Sequence, residues 1–316
     1  MRIAQFRAAR VSGSALLSLV LGATALGAEA APPAAVARAQ TFKIGSYTAV
    51  SLEDGGIEEP NDGKSFVIGH PPAEVAEVLK SGGAPGDHFE FDIHPLLVHA
   101  GNRVLLFDTG AGSSFGPIAG KLTESMALAA EDPSKVTDIF ISHAHGDHIG
   151  GLVKAAGALA FPNASIHMSA PEWEWLSGMK AEEAKDVGIS QLTSLVTAIR
   201  PKVVPFQPGA TLLPGIVKAV EIKGHTVGHC GYQIGSGKDS VLYIGDAMHS
   251  YVISVREPSW KITYDTDPET GAASRLALDK RAAASGERLF AVHFPFPGLG
   301  KIVEEKDGYA WVPEGY

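Results

Sequence analysis

One cysteine, Cys230, stands in a chain of 316 residues. A lone thiol closes no internal disulfide, so the fold must rest on an apolar core rather than on covalent staples. Positive charge is also short: 26 Lys and Arg face 35 Asp and Glu, a net of −9. An acidic surface repels phosphate backbones, and no nucleic-acid partner is expected. No internal repeat runs through the sequence. Long uninterrupted apolar runs are missing too, except at the N-terminus.

There Arg2, Arg7 and Arg10 precede an uncharged apolar stretch, 11–27, followed by Ala28-Glu29-Ala30. A basic start, an apolar run and a small-x-small triplet describe a secretory signal. The run is short for a membrane span, which needs roughly 20 residues. We read 1–31 as a signal peptide, 32–41 as a small-residue tether and 42–316 as one domain. The expected location is periplasmic or secreted, with no membrane attachment after cleavage. A second Ala-x-Ala, Ala37-Arg38-Ala39, lies far from the apolar run and is the weaker cleavage point.

The chain as a whole is 45% hydrophobic and 19% charged, with 36 Gly and 20 Pro breaking it into short elements. Residues 42–52 are β-rich. Residues 72–79 read as a helix. Two apolar runs, 95–99 and 103–107, flank Ala100-Gly101-Asn102 and predict a hairpin. Helices are expected over 122–130, 151–159, 171–178 and much of 181–199. Strands are expected over 136–142, 217–222, 231–234, 240–245 and 289–292. Strands, then helices, then strands suit packed sheets with helices outside.

The sharpest signal is Ser142-His143-Ala144-His145-Gly146-Asp147-His148. Four metal-competent side chains fall within six residues where a strand ends. Such loops can aim several side chains at one point. Imidazole and carboxylate donors suit Zn²⁺, and also Mn²⁺, Fe²⁺ or Co²⁺. The same logic recurs downstream. Gly224-His225-Thr226-Val227-Gly228-His229 follows a β segment; Tyr243-Ile244-Gly245-Asp246 and Ala291-Val292-His293 each end an apolar run in a ligand-type residue.

The motif H-x-H-x-D-H followed by separated His, Asp and His resembles the metallo-β-lactamase superfamily. The resemblance spans about 42–293 and implies an α+β fold, a four-layered αββα sandwich with metals at one sheet edge. It implies that His143, His145 and His229 hold one metal, that Asp147, His148 and His293 hold a second, and that Asp246 bridges them. His225 is then a structural neighbour. The cofactors implied are two divalent ions, zinc foremost. Many true β-lactamases carry a cysteine at the position of Asp246, so β-lactam hydrolysis is not expected. Cys230 is read as a small buried apolar residue.

Within the superfamily, Asp108-Thr109-Gly110-Ala111-Gly112, Phe115-Gly116-Pro117 and Gly120-Lys121-Leu122 resemble the methyl parathion hydrolase type, with lactonases alongside. Phe115 and Trp175 match positions that line the leaving-group pocket there. The expected chemistry is attack by a metal-bridging hydroxide on an ester-type small molecule: a lactone, an aryl ester or a phosphotriester. Asp246 is also a candidate proton shuttle. A thioester hydrolase and a catalytically silent metal-binding protein stay open as alternatives, and a homodimer is compatible with the sequence.

Overall fold

The structure is a computed structural model that describes residues 34–306 and 308–315. The expected signal peptide lies outside the described residues. Of the expected tether, Ala35 donates its N–H to Pro117 O, and the first strand already begins at Ala39. This part of the chain is docked rather than free. Among the described residues no helix is long and apolar enough to cross a membrane.

Two seven-stranded sheets dominate. The first runs, in spatial order, β1 (Ala39–Ile44), β2 (Tyr47–Leu52), β6 (Leu96–Ala100), β7 (Arg103–Phe107), β8 (Asp138–Phe140), β9 (Ser165–Ser169) and β10 (Val203–Phe206). The second runs β11 (Thr211–Leu213), β12 (Val217–Glu221), β13 (Cys230–Ile234), β14 (Val241–Tyr243), β16 (Arg288–Phe290), β17 (Leu299–Glu305) and β18 (Gly308–Pro313). Two small ribbons pair β3 (Gly55–Pro60) with β5 (His88–Ile93), and β4 (Val67–Ile68) with β15 (Lys261–Ile262). The helices are α1 (Pro72–Ser81), α2 (Leu122–Leu128), α3 (Gly146–Ile149), α4 (Ala170–Gly178), α5 (Ala181–Asp186), α6 (Leu192–Ile199), α7 (Ile253–Arg256) and α8 (Pro268–Ser285).

Alternation along the strands builds the layers. Leu96, Val98, Leu105 and Phe107 point between the sheets, where they meet Val217, Tyr232, Tyr243 and Phe290. Leu97 and Leu106, one residue out of phase, point the other way and pack with Met126, Leu176 and Leu195 of α2, α4 and α6. On the far side Leu242 and Leu289 meet Leu278 and Ala282 of α8. A period of two thus feeds a core on each face of each sheet, the αββα arrangement. Cys230 is buried in the central layer, as expected.

The expected hairpin forms, with Ala100 paired to Arg103. The helix expected over 151–159 does not. A single 3-10 turn covers Gly150–Leu152, and Val153 then pairs antiparallel with Leu159. Gly151 lies so close to Thr109 O that a Cβ would meet it at 1.9 Å, and Gly157 adopts φ +81°. Two glycines held by contact and by backbone conformation end the helix before it starts.

Candidate metal centre

The carboxyl ends of β7, β8, β14 and β16 meet at one edge of the sandwich. β7 and β8 run parallel, as do β14 and β16, so their following loops emerge on the same side. Asp108 follows β7, the 142–148 loop follows β8, Asp246 follows β14 and His293 follows β16. In open sheets this is where ligands bind.

Two groups of donors face each other there. One nitrogen each of His143, His145 and His225, with one oxygen of Asp246, lie within 4.8 Å of one another. Asp147, His148 and His293 form a second such group. Asp246 spans the two. Its Oδ2 lies 3.3 Å from His225 Nε2 and 3.6 Å from His143 Nε2. Its Oδ1 lies 3.1 Å from His148 Nε2 and 3.2 Å from His293 Nε2.

The first group overturns one sequence expectation. His225, not His229, stands with His143 and His145; its Nε2 is 3.1 Å from His143 Nε2 and 3.1 Å from His145 Nδ1. Both His229 nitrogens are used elsewhere. Nδ1 donates to Ile222 O at 2.9 Å, and Nε2 accepts the Asp246 N–H at 3.0 Å. His229 therefore orients Asp246 through its backbone and offers no lone pair to the centre.

The structure brings His143, His145, Asp147, His148, Asp246 and His293 together, and several of the donor histidines and their loops are held by buried partners. Asp108 accepts from Ser142 N–H, Ser142 Oγ–H, Tyr243 O–H and His148 Nδ1–H. Asp265 faces His225 Nδ1 at 3.3 Å and is itself held by Arg275 of α8 at 3.0 Å. His293 Nδ1 donates to Asp92 O at 2.7 Å. Glu172 ties the two histidine loops together, accepting from Ala144 N–H, Thr226 O–H and Gly228 N–H. At Gly146 the chain passes so close to Gly188 that a Cβ would meet Gly188 O at 2.1 Å. Only glycine allows the motif to turn there.

Two imidazole nitrogens 3.1 Å apart, both aimed at a shared point, make poor neighbours unless a cation lies between them. His148 Nε2 and Asp246 Oδ1 are buried and make no hydrogen bond. Burial, followed by the neighbouring histidines, holds His143 and His145 well below the ordinary histidine range, so both keep the neutral, ligating form. For His148 burial opposes charge, but Asp246, Asp147 and Asp108 outweigh it and hold the ring above its ordinary range. The donor set fits a divalent metal site.

His249 was not singled out in the sequence. It sits three residues after Asp246, its Nε2 3.0 Å from Asp246 Oδ2 and its ring stacked on His293 at 5.3 Å. A histidine just past a strand-end aspartate is a faint signal; its direction depends on the turn. A cleft of about 490 Å³ opens above the centre. Ile57, Phe91, Phe115 and Tyr264 supply apolar wall, with Asp147, Asp246 and His293 below. Phe115, one of the two aromatic residues singled out for a pocket, lines this cleft. Trp175 does not: it lies outside the cleft lining, its ring meeting His145 edge-on at 6.2 Å while it packs beside the helical core layer.

Comparison with known proteins agrees with this geometry. Residues 90–293 match the metallo-beta-lactamase superfamily. The structure is similar to AidC, a dizinc quorum-quenching lactonase in complex with the product N-hexanoyl-L-homoserine, with 32% identity, TM-score 0.82, and 89% of this chain and 98% of that one covered. It is also similar to the hydrolase AbOPH in the beta lactamase superfamily, with 27% identity, TM-score 0.77, and 89% and 99% covered. A short stretch of 59 residues is 41% identical to ribonuclease Z of Methanothermobacter thermautotrophicus, covering 19% of this chain and only 16% of that enzyme. The family match takes in the donor residues from His143 to His293, and the AidC likeness extends over nearly the whole described fold; the chain belongs to the metallo-β-lactamase superfamily and is a metal-dependent hydrolase.

Proposed function

We propose that the chain hydrolyses the ester bond of a lactone bearing an apolar substituent. The observation that carries this reading is the Asp246 carboxylate set between two donor groups on the floor of an apolar-walled cleft. His143, His145 and His225 would hold one divalent ion, Asp147, His148 and His293 a second, with Asp246 shared. Zinc matches the nitrogen and carboxylate donors best. Ions held there supply Lewis acidity and acidify water. The chain's own residues then do the positioning. Asp265, Asp108 and Asp92 O fix the three outer histidines, and Ile57, Phe91 and Phe115 offer an apolar wall for an acyl group while excluding water.

The likeness to AidC, at 32% identity over 89% of the chain, supports a lactone over other esters. The methyl parathion hydrolase resemblance around Phe115 keeps a phosphotriester in the test. A panel on metal-defined enzyme decides: an acyl-homoserine lactone, an aryl ester, a phosphotriester, a thioester and a β-lactam. We expect kcat/KM for the lactone to lead by at least ~10-fold. A phosphotriester or thioester in first place would replace this reading.

We further propose that the mature protein acts outside the cytoplasm after loss of a segment ending before Ala35. Arg38 bonds Glu53 and Ala39 opens β1, so a later cut would remove packed chain. N-terminal sequencing of exported protein tests this; an intact Met1 on membrane-bound material refutes it.

A further inference from the structure

We propose that Glu53, Asp92 and His94 form a separate cation site that takes one divalent transition-metal ion of the zinc class. Glu53 follows β2, while Asp92 is the penultimate residue of β5 and His94 lies just past its end. One nitrogen of His94 and one carboxylate oxygen from each acid lie within 4.8 Å of one another.

The second observation is His94 itself. The ring is fully buried. Its Nε2–H donates to Ala291 O at 2.9 Å, which leaves Nδ1 as a lone pair, and Nδ1 has no hydrogen-bond partner. The neighbouring acids add acceptors, not donors. Asp92 Oδ2 already accepts the Phe296 N–H at 2.7 Å, and Glu53 Oε2 accepts Arg38 at 2.8 Å. The Arg38 guanidinium lies over the Phe296 ring at 4.7 Å, so it balances part of the charge from one side. One imidazole nitrogen and two carboxylate oxygens are donors that zinc-class ions take, with room for water to complete the shell.

The site is distinct from the histidine centre but joined to it through backbone. Asp92 O receives His293 Nδ1–H, and Ala291, which receives His94, lies two residues before His293. An ion held by Asp92 and His94 would stiffen the edge that aims His293.

The test uses the full mature chain, stripped with chelator and titrated with Zn²⁺, with stoichiometry read by native mass spectrometry and elemental analysis. A His145→Ala, His148→Ala double variant removes a donor from each group of the main centre. It should still bind one ion, and adding Glu53→Gln should abolish that ion. In the otherwise intact chain, Glu53→Gln and Asp92→Asn should each bind one ion fewer than wild type. Asp92→Asn keeps an acceptor for Phe296 N–H and guards against misfolding of the first variant. A double variant that folds, by circular dichroism, yet binds no ion overturns the proposal. So does unchanged stoichiometry in both single variants.

Discussion

His148 donates its Nδ1–H to Asp108 Oδ2 over 2.8 Å, and this bond aims its Nε2 at Asp246. Asp108 adopts φ +55°, a conformation that costs a non-glycine residue energy, and its carboxylate repays the strain with four hydrogen bonds. Asp108→Asn loses the charge and presents a mixed donor and acceptor to the same partners. Metal affinity at the Asp147, His148 and His293 group should fall by about 10–100-fold, as for other carboxylates behind ligating histidines. Competition against a chromogenic chelator measures it. Wild-type affinity in the variant would remove Asp108 from the positioning role.

His225 and His229 make a clean pair. His225→Ala should cost one ion per chain and most activity, because its Nε2 lies with His143 and His145. His229→Gln should keep both ions of the centre, with a smaller loss of rate through a less firmly held Asp246. Elemental analysis of the two proteins separates them. The reverse pattern would restore His229 as the ligand.

Asp246→Asn keeps the size but loses the charge that both donor groups share. Occupancy of one ion should fall, and activity should drop by at least ~100-fold, comparable to losing a major electrostatic contribution. A variant with wild-type metal content and rate would leave Asp246 a purely structural strand cap.

His229 also sets a pH dependence in the metal-free protein. Burial, then His225, lowers it from 6.5 to about 4. The folded state thus refuses a proton that the unfolded chain accepts. Its contribution to stability is present above pH 6.5 and is lost as pH falls toward 4. His229→Gln should flatten the stability curve in that window, by at most about 1.4 kcal/mol per pH unit. Thermal melts of chelated protein between those pH values test it; parallel curves would contradict the assignment.

How much of this was legible in the sequence depends on how local the signal is. The H-x-H-x-D-H motif, Asp246 and His293 each end an apolar run, and strand ends that share an edge must bring them together. The apolar runs 95–99 and 103–107 likewise predicted the hairpin of β6 and β7. The long helix α8 went unread, because its buried stripe is Gly271, Arg275, Leu278 and Ala282, a helical spacing without helical hydrophobicity. Its Arg275 is buried with Asp265 and Trp260 O as partners.

The choice between His225 and His229 was likewise beyond the sequence. Both lie in one six-residue stretch with the same chemistry. Only the folded loop, pinned by Glu172 at Thr226 and Gly228 and by Ile222 O at His229, turns one ring toward the centre and the other away. His249 and Trp175 are placed by packing instead, His249 stacked on His293 and Trp175 beside the helical core layer. Sequence determined which donors the chain owns and on which strand ends they sit. Tertiary structure decided where each ring points, because that is set by hydrogen bonds and packing against residues elsewhere in the chain.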